Sequence, residues 1–126
     1  MNNHLAALMA LTPEGIDAFD TNVPEQPPQR YFVFRAPTFK RDSEASSRAV
    51  LDVDDYFSVM ACGRDTNQVR DIQAEMQDAL DRSHPVVDGF DARALLRSTG
   101  GIDIDRSRVP HIAHATDLYR YRATPV

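Results

Sequence analysis

The single cysteine, Cys62, ends an apolar run (Tyr56-Phe57-Ser58-Val59-Met60-Ala61) and precedes Gly63. A thiol acts as a nucleophile or a metal ligand only as thiolate, which requires a histidine, a cation or a helix N-terminus beside it. No local signature supplies one, so Cys62 is expected to be a buried structural cysteine. His111 and His114 lie three apart, a spacing that on a helix puts two imidazoles on one side of a metal; no cysteine or third histidine completes a set. Carboxylates cluster at Asp52, Asp54 and Asp55 and alternate at Asp103 and Asp105. Paired carboxylates can serve hydrolysis or hold a divalent cation. The spacing fits no calcium loop, and acidic strand ends more commonly discourage edge pairing.

Other chemistries lack their motifs. A phosphate cradle needs a glycine run leading into a helix N-terminus, and Gly100-Gly101 has neither the lysine nor the following helix. No serine stands in a nucleophile-elbow context. The expectation is a protein that is not an enzyme and uses neither metal nor cofactor. An enzyme built on Asp54 or His114 ranks behind the binding and assembly functions considered below; a metal requirement or strongly perturbed titration of those groups would reveal it.

The elements that must position these residues belong to one small core. At 126 residues the chain has the length of a single domain spanning 1–126, and its 42% hydrophobic and 26% charged residues are ordinary for a globular protein. One cysteine excludes an intrachain disulfide and fits a reducing compartment. No run approaches the roughly 18 apolar residues of a membrane helix, and Met1-Asn2-Asn3-His4 lacks the basic start of a secretory signal. A net charge of −5 argues against bulk, sequence-independent nucleic-acid binding. Of the 14 basic residues only Lys40 is a lysine; arginine forks suit oriented, paired contacts, although a GC-rich genome would also favour arginine codons.

Hydrophobic spacing predicts a short helix from Asn3 to Leu11, ended by Thr12-Pro13, and a short strand over Ile16 to Phe19. A proline-bearing connector, Thr21 to Gln29, leads into a strand at Tyr31-Phe32-Val33-Phe34-Arg35, stopped by Ala36-Pro37. Thr38 to Arg48 is polar with charges of both signs and reads as a long exposed loop, a candidate partner-contacting arm carrying Lys40, Arg41 and Arg48. From Val53 the pattern has period two and is largely apolar on both faces, predicting a central strand covered on both sides by helices or neighbouring subunits and ended by Gly63. Asp65 and Gln68 have capping-box spacing ahead of an amphipathic helix carrying Val69, Ile72, Met76 and Leu80, which closes near Arg82-Ser83 and needs a sheet to lie on. Ala92 to Arg97 and Ile102 to Asp105 read as a hairpin turning at Gly100-Gly101. His111 to Asp117 is ambiguous, and Leu118 to Ala123 is a last strand with Tyr119, Tyr121 and Ala123 on an apolar face and Arg120 and Arg122 on a basic one. The class is α+β.

The order of these features resembles the tail terminator (tail completion) family of long-tailed bacteriophages. The resemblance runs over nearly the whole chain, from the N-terminal helix through Arg30-Tyr31-Phe32-Val33-Phe34, the charged loop, Tyr56 to Ala61, and the helix of Val69, Ile72, Met76 and Leu80, to Leu118-Tyr119-Arg120-Tyr121-Arg122. It rests on element order and hydrophobic positions, with no catalytic motif. It implies a mixed, mainly antiparallel sheet packed with two helices, in a subunit that assembles as a homohexameric ring. The ring would cap the tail tube, stop its polymerisation and join the tail to the head or neck. The implied partners are further copies of the chain, the tail tube protein and a neck or head-completion protein, with DNA only in passage through the lumen and no membrane. The implied location is the head-proximal end of the tail in the virion, after assembly in the host cytoplasm.

The expected contacts with neighbouring subunits, tube or neck are Lys40, Arg41, Arg48, Gly100, Gly101, Arg120 and Arg122. Arg120 and Arg122, sharing a strand face, would line the lumen or pair with Asp or Glu of the next subunit, the bland alternative being a solvated outer face. Two other functions fit a chain of this kind. One is a different head-tail connector or neck completion protein. The other is a small ligand-binding regulatory α+β module, which would be a stable monomer or dimer with a dry cavity.

Overall fold

Runs of aromatic and β-branched residues fill a pleated surface, and three such runs build the centre of the computed structural model, which describes residues 3–37, 52–105 and 112–126. Among these residues the order is α1 (Asn3–Met9), β1 (Asp17–Asp20), β2 (Tyr31–Arg35), β3 (Val53–Gly63), α2 (Thr66–Leu80), β4 (Phe90–Ala92), β5 (Leu96–Asp105) and β6 (Ile112–Pro125). The strands form a six-stranded sheet in the order β1-β2-β3-β6-β4, with β5 also paired to β6. β1 and β2 are parallel and every other pairing is antiparallel. The architecture is thus α+β, a mixed, mainly antiparallel sheet with two helices, as the sequence predicts. The loop expected over Thr38 to Arg48, with Lys40, Arg41 and Arg48, lies outside the described residues.

One face of the sheet carries the core. Phe32 and Phe34 of β2, Phe57, Val59 and Ala61 of β3, and Tyr119, Tyr121 and Ala123 of β6 are all buried there. Phe57 stacks between Phe34 and Tyr119, with ring centroids 6.2 and 5.6 Å away. α2 covers this face through Val69, Ile72, Met76 and Leu80, the four positions its sequence spacing selects. Its start is fixed by Asp65, whose carboxylate accepts from the backbone N–H of Gln68 at 2.8 Å, while the Gln68 side chain accepts from the N–H of Arg64. The box therefore closes one residue earlier than the reciprocal pattern. Gly63 lets the helix come this close, because a Cβ there would stand 3.0 Å from the Gln68 side chain and 3.1 Å from Val69. α2 ends at Leu80, and Arg82 takes a positive φ of 63° to turn the chain away.

α1 is short and is held by packing, with Leu5 and Leu8 in the core. His4 is also buried, with Nδ1 2.6 Å from the Tyr121 hydroxyl and its ring edge-to-face against Phe90 at 4.5 Å. Burial lowers the pKa of His4 below its ordinary 6.5 and pushes that of Tyr121 up to about 12. A neutral imidazole can accept the phenol's proton at Nδ1; an imidazolium cannot.

Among the described residues, Asp117 is the one carboxylate buried on the core face. Gln73 and Gln77 of α2 donate to it at 3.0 and 3.2 Å, and Arg97 of β5 approaches to 3.6 Å. It ties helix and edge strand to β6 through groups that desolvation would otherwise penalise.

Two expectations about the C-terminal third are corrected. Gly100-Gly101 is not a hairpin turn: β5 runs unbroken from Leu96 to Asp105, its glycines opposite Asp117 and Thr116 of β6. The expected single strand of Ala92 to Arg97 instead breaks between β4 and β5. β6, at 14 residues, is long enough to pair with β5 on both sides of a register shift between Arg97 and Thr99, and in that ladder the backbone groups of the glycines find partners that a turn would leave to solvent. In the register Gly100 stands opposite Asp117.

Two measurements test this packing. Asp117→Ala should lower the free energy of unfolding by about 1.5–3 kcal/mol in urea titration, the range for hydrogen bonds to a charged group; an unchanged midpoint would remove Asp117 as a tie. Because burial lowers the pKa of His4 below its ordinary 6.5, the unfolded chain binds this proton more readily than the folded one. Stability should be full above pH 6.5 and decline as pH falls through the folded-state pKa. His4→Phe should flatten this component of the melting-temperature profile; an identical slope would assign it to other groups.

Candidate functional site

Alternation along β6 sends Tyr119, Tyr121 and Ala123 into the core and Arg120 and Arg122 to the opposite face, as the sequence predicts. Across the register, Asp54 of β3 faces Arg122, and Tyr56 faces Arg120, which in turn faces Leu96 of β5. Arg120 leans diagonally and grips Asp54 with two parallel hydrogen bonds, Nε to Oδ1 at 2.9 Å and Nη2 to Oδ2 at 2.8 Å. This bond and the charge of Asp54 raise the pKa of Arg120 above its ordinary value. The side-on fork holds the guanidinium in one orientation.

With both oxygens of Asp54 engaged by Arg120, Arg122 has no ion pair among the described residues, and neither has Arg93. Arg93 joins the group because its backbone N–H donates to the carbonyl of Arg122 at 2.9 Å. Asp52, Asp54, Arg93, Arg120 and Arg122 line an open cavity of about 220 Å³, walled also by Thr124. Beside it Tyr56 is 50% and Leu96 41% exposed. The site is a shallow, charged notch with an apolar rim, able to orient an acidic group.

Farther along the same face the sheet is covered, with Tyr31, Val33 and Cys62 buried together and Phe19 and Met60 packed against them. Within one subunit the outer face of β3 is thus buried at its Cys62 end and open at Tyr56, where of the two expected kinds of cover, helix or neighbouring subunit, no described helix lies. Register brings His114 directly opposite Cys62, and Asp103 opposite His114. Nothing local in the sequence signals this juxtaposition, because the paired residues lie 52 positions apart. Cys62 is only 2% exposed, so the thiol is a packing group, as expected from its context. His111 lies outside the described residues, among which no three His, Cys, Asp or Glu side chains converge in a metal-binding group.

Of the residues singled out as contacts, Arg120 and Arg122 lie together on the outward face, while Gly100 and Gly101 lie in β5. Lys40, Arg41 and Arg48 are outside the described residues. Arg93 and Asp54 were missed as parts of this notch; the intervening chain hides their proximity to Arg122, though the acid and base on neighbouring strands give a signal once register is known. No helix among the described residues is long and apolar enough to cross a membrane.

No protein-family model and no curated protein matches the sequence. The fold is similar to that of a chain in the solved structure of the virion of a native gene transfer agent (GTA) particle. The TM-score is 0.61 and the identity 18%, with 94% of this chain and 84% of the other covered. At this identity the likeness is one of fold.

The packing of Cys62 has a direct chemical test. In native protein a disulfide-exchange reagent should label Cys62 orders of magnitude more slowly than in denaturant, since the reactive thiolate must first be uncovered. Prompt labelling of the folded protein would make the thiol accessible and reopen its pairing with His114.

Proposed function

We propose that this chain is a structural, non-catalytic subunit of a phage-like particle, and within it a tail terminator. Copies form a homohexameric ring that caps the end of the tail tube, stops its polymerisation and joins the tail to the head or neck. The observation that carries this is the fold likeness to a protein of a gene transfer agent virion, which extends over 94% of the chain. It supports placement in a virion; the terminator role, at the head-proximal end of the tail, rests on the order of sequence features described above. The partners in this reading are further copies of the chain, the tail tube protein and a neck or head-completion protein, with DNA passing through the lumen.

The surface is consistent with assembly. Its outward notch is lined by five charged side chains and has a rim of exposed Tyr56 and Leu96, a combination that resembles a polar contact with apolar anchors. A small-ligand module would instead offer a mostly apolar pocket of roughly 300–1,000 Å³. The notch is smaller and charged, so the ligand-binding reading gains no support from it.

Light scattering across concentration, with and without the candidate tail tube protein, tests the reading. The expected result is a species of six times the subunit mass, formed freely or on the tube. A monomer at every concentration that also ignores the tube would defeat it.

A further inference from the structure

α2 lies on the core face of the sheet, so its solvent face and the arginine notch point away from opposite sides of the subunit. That solvent face carries exposed Asp71, Glu75 and Asp78, spaced four and three residues apart and therefore stacked in one stripe. The stripe does nothing for its own helix. Like charges at these spacings repel, and α2 has no acidic residue in its first turn and no basic residue in its last, the two placements its dipole would favour. None of the three carboxylates is in an ion pair with a described residue, and the same is true of Arg93 and Arg122 across the sheet. Among the described residues, the acidic ridge on one side and Arg93 and Arg122 of the notch on the other are without ion pairs, and the notch lining of three arginines with Asp52 and Asp54 stays net positive.

We propose that the notch formed by Arg93 and Arg122 is the socket of a subunit interface and receives the acidic ridge of α2 from a second copy of this chain. The inference rests on the ring proposed above and names the surfaces that close it. In it Asp54 is a positioning residue: by engaging Arg120 in a fork it leaves Arg122 and Arg93 to meet an incoming carboxylate. The cavity of about 220 Å³ has room for an acidic side chain, and Tyr56 and Leu96 give the helix an apolar shoulder. Complementary charge fixes orientation and register across such a contact.

Charge reversal on each side, and on both together, tests the docking. The full-length chain would be followed by light scattering, with and without tail tube protein, and circular dichroism would confirm that each variant is folded. The substituted residues are solvent-facing, so folding should survive. Arg93→Glu with Arg122→Glu should raise the concentration needed for assembly on the order of tenfold or more. Asp71→Arg with Glu75→Arg should do the same, and the combined four-fold variant should recover most of the loss, because each new charge meets its opposite. Recovery in the combined variant is the supporting result. Wild-type assembly that both reversals leave untouched would overturn the docking while leaving the ring in place. Loss on reversal without recovery would overturn it too, assigning the notch to tube, neck or DNA phosphate. A wild-type chain that never assembles would remove ring and docking together.

Discussion

Hydrogen bonding to β3 on one side and to β4 and β5 on the other fixes the register of β6 along its 14 residues. That register decides which residues of the subunit face the core and which face outward. Side chains alternate with a period of two, so a slip of one residue would send Arg120 and Arg122 into the space held by Tyr119 and Tyr121. Two guanidiniums beneath α2 without partners would carry a heavy desolvation penalty. The apolar stack of Phe34, Phe57 and Tyr119 and the outward arginine pair are therefore two consequences of one alignment. Asp117 refines it, since only in this register does a carboxylate meet the amides of Gln73 and Gln77.

Local pattern revealed much of this. The aromatic run of β2, the period-two run of β3 and the spacing of Val69, Ile72, Met76 and Leu80 in α2 each name their own element, because the apolar residues match one periodicity. The two faces of Leu118 to Ala123 were equally readable. Failure began where pairing overrides local preference. Gly100-Gly101 has the composition of a tight turn, yet a long partner strand holds it extended. The first half of β6 was obscured by its small and polar residues, since Ala113, Ala115 and Asp117 are buried without an aromatic signal. The notch was half legible: Arg120 and Arg122 declare their shared face, but the companions Asp54 and Arg93 reach it only through register and a β4–β5 break that no local rule encodes.

Architecture and role are separable here. Similar folds host unrelated functions, and a likeness at 18% identity carries the sheet and helices across without their surface chemistry. The role must therefore be argued from what the surface offers. Cys62 is buried beside Tyr31 and Val33, whereas oriented charges stand at the Arg120 end of the same face. The Arg120 end of this face offers directional contacts to a partner.

The sign of those contacts limits the symmetry they can support. In a two-fold contact a patch meets its own copy, so a notch with Arg93 and Arg122 would oppose the same two guanidiniums, and the ridge of Asp71, Glu75 and Asp78 would oppose the same three carboxylates. The ridge self-pairing is repulsive, and the notch self-pairing sets Arg93 and Arg122 against their own copies with Asp52 as the lining's one carboxylate outside the Arg120 fork. Pairing notch to ridge replaces repulsion with attraction, and such a contact is heterologous: every subunit has one surface of each kind, and the chain of contacts ends only when it returns to its start. Closure after a fixed number of copies gives a ring, and failure to close gives a filament. In the proposed contact, charge complementarity would select the pairing, and the angle between ridge and notch would set the number of subunits. Since α2 is anchored to β6 through Asp117 and the arginines stand on the same strand, that angle is set inside the fold. In the proposed ring, the core register would thereby govern the geometry of assembly.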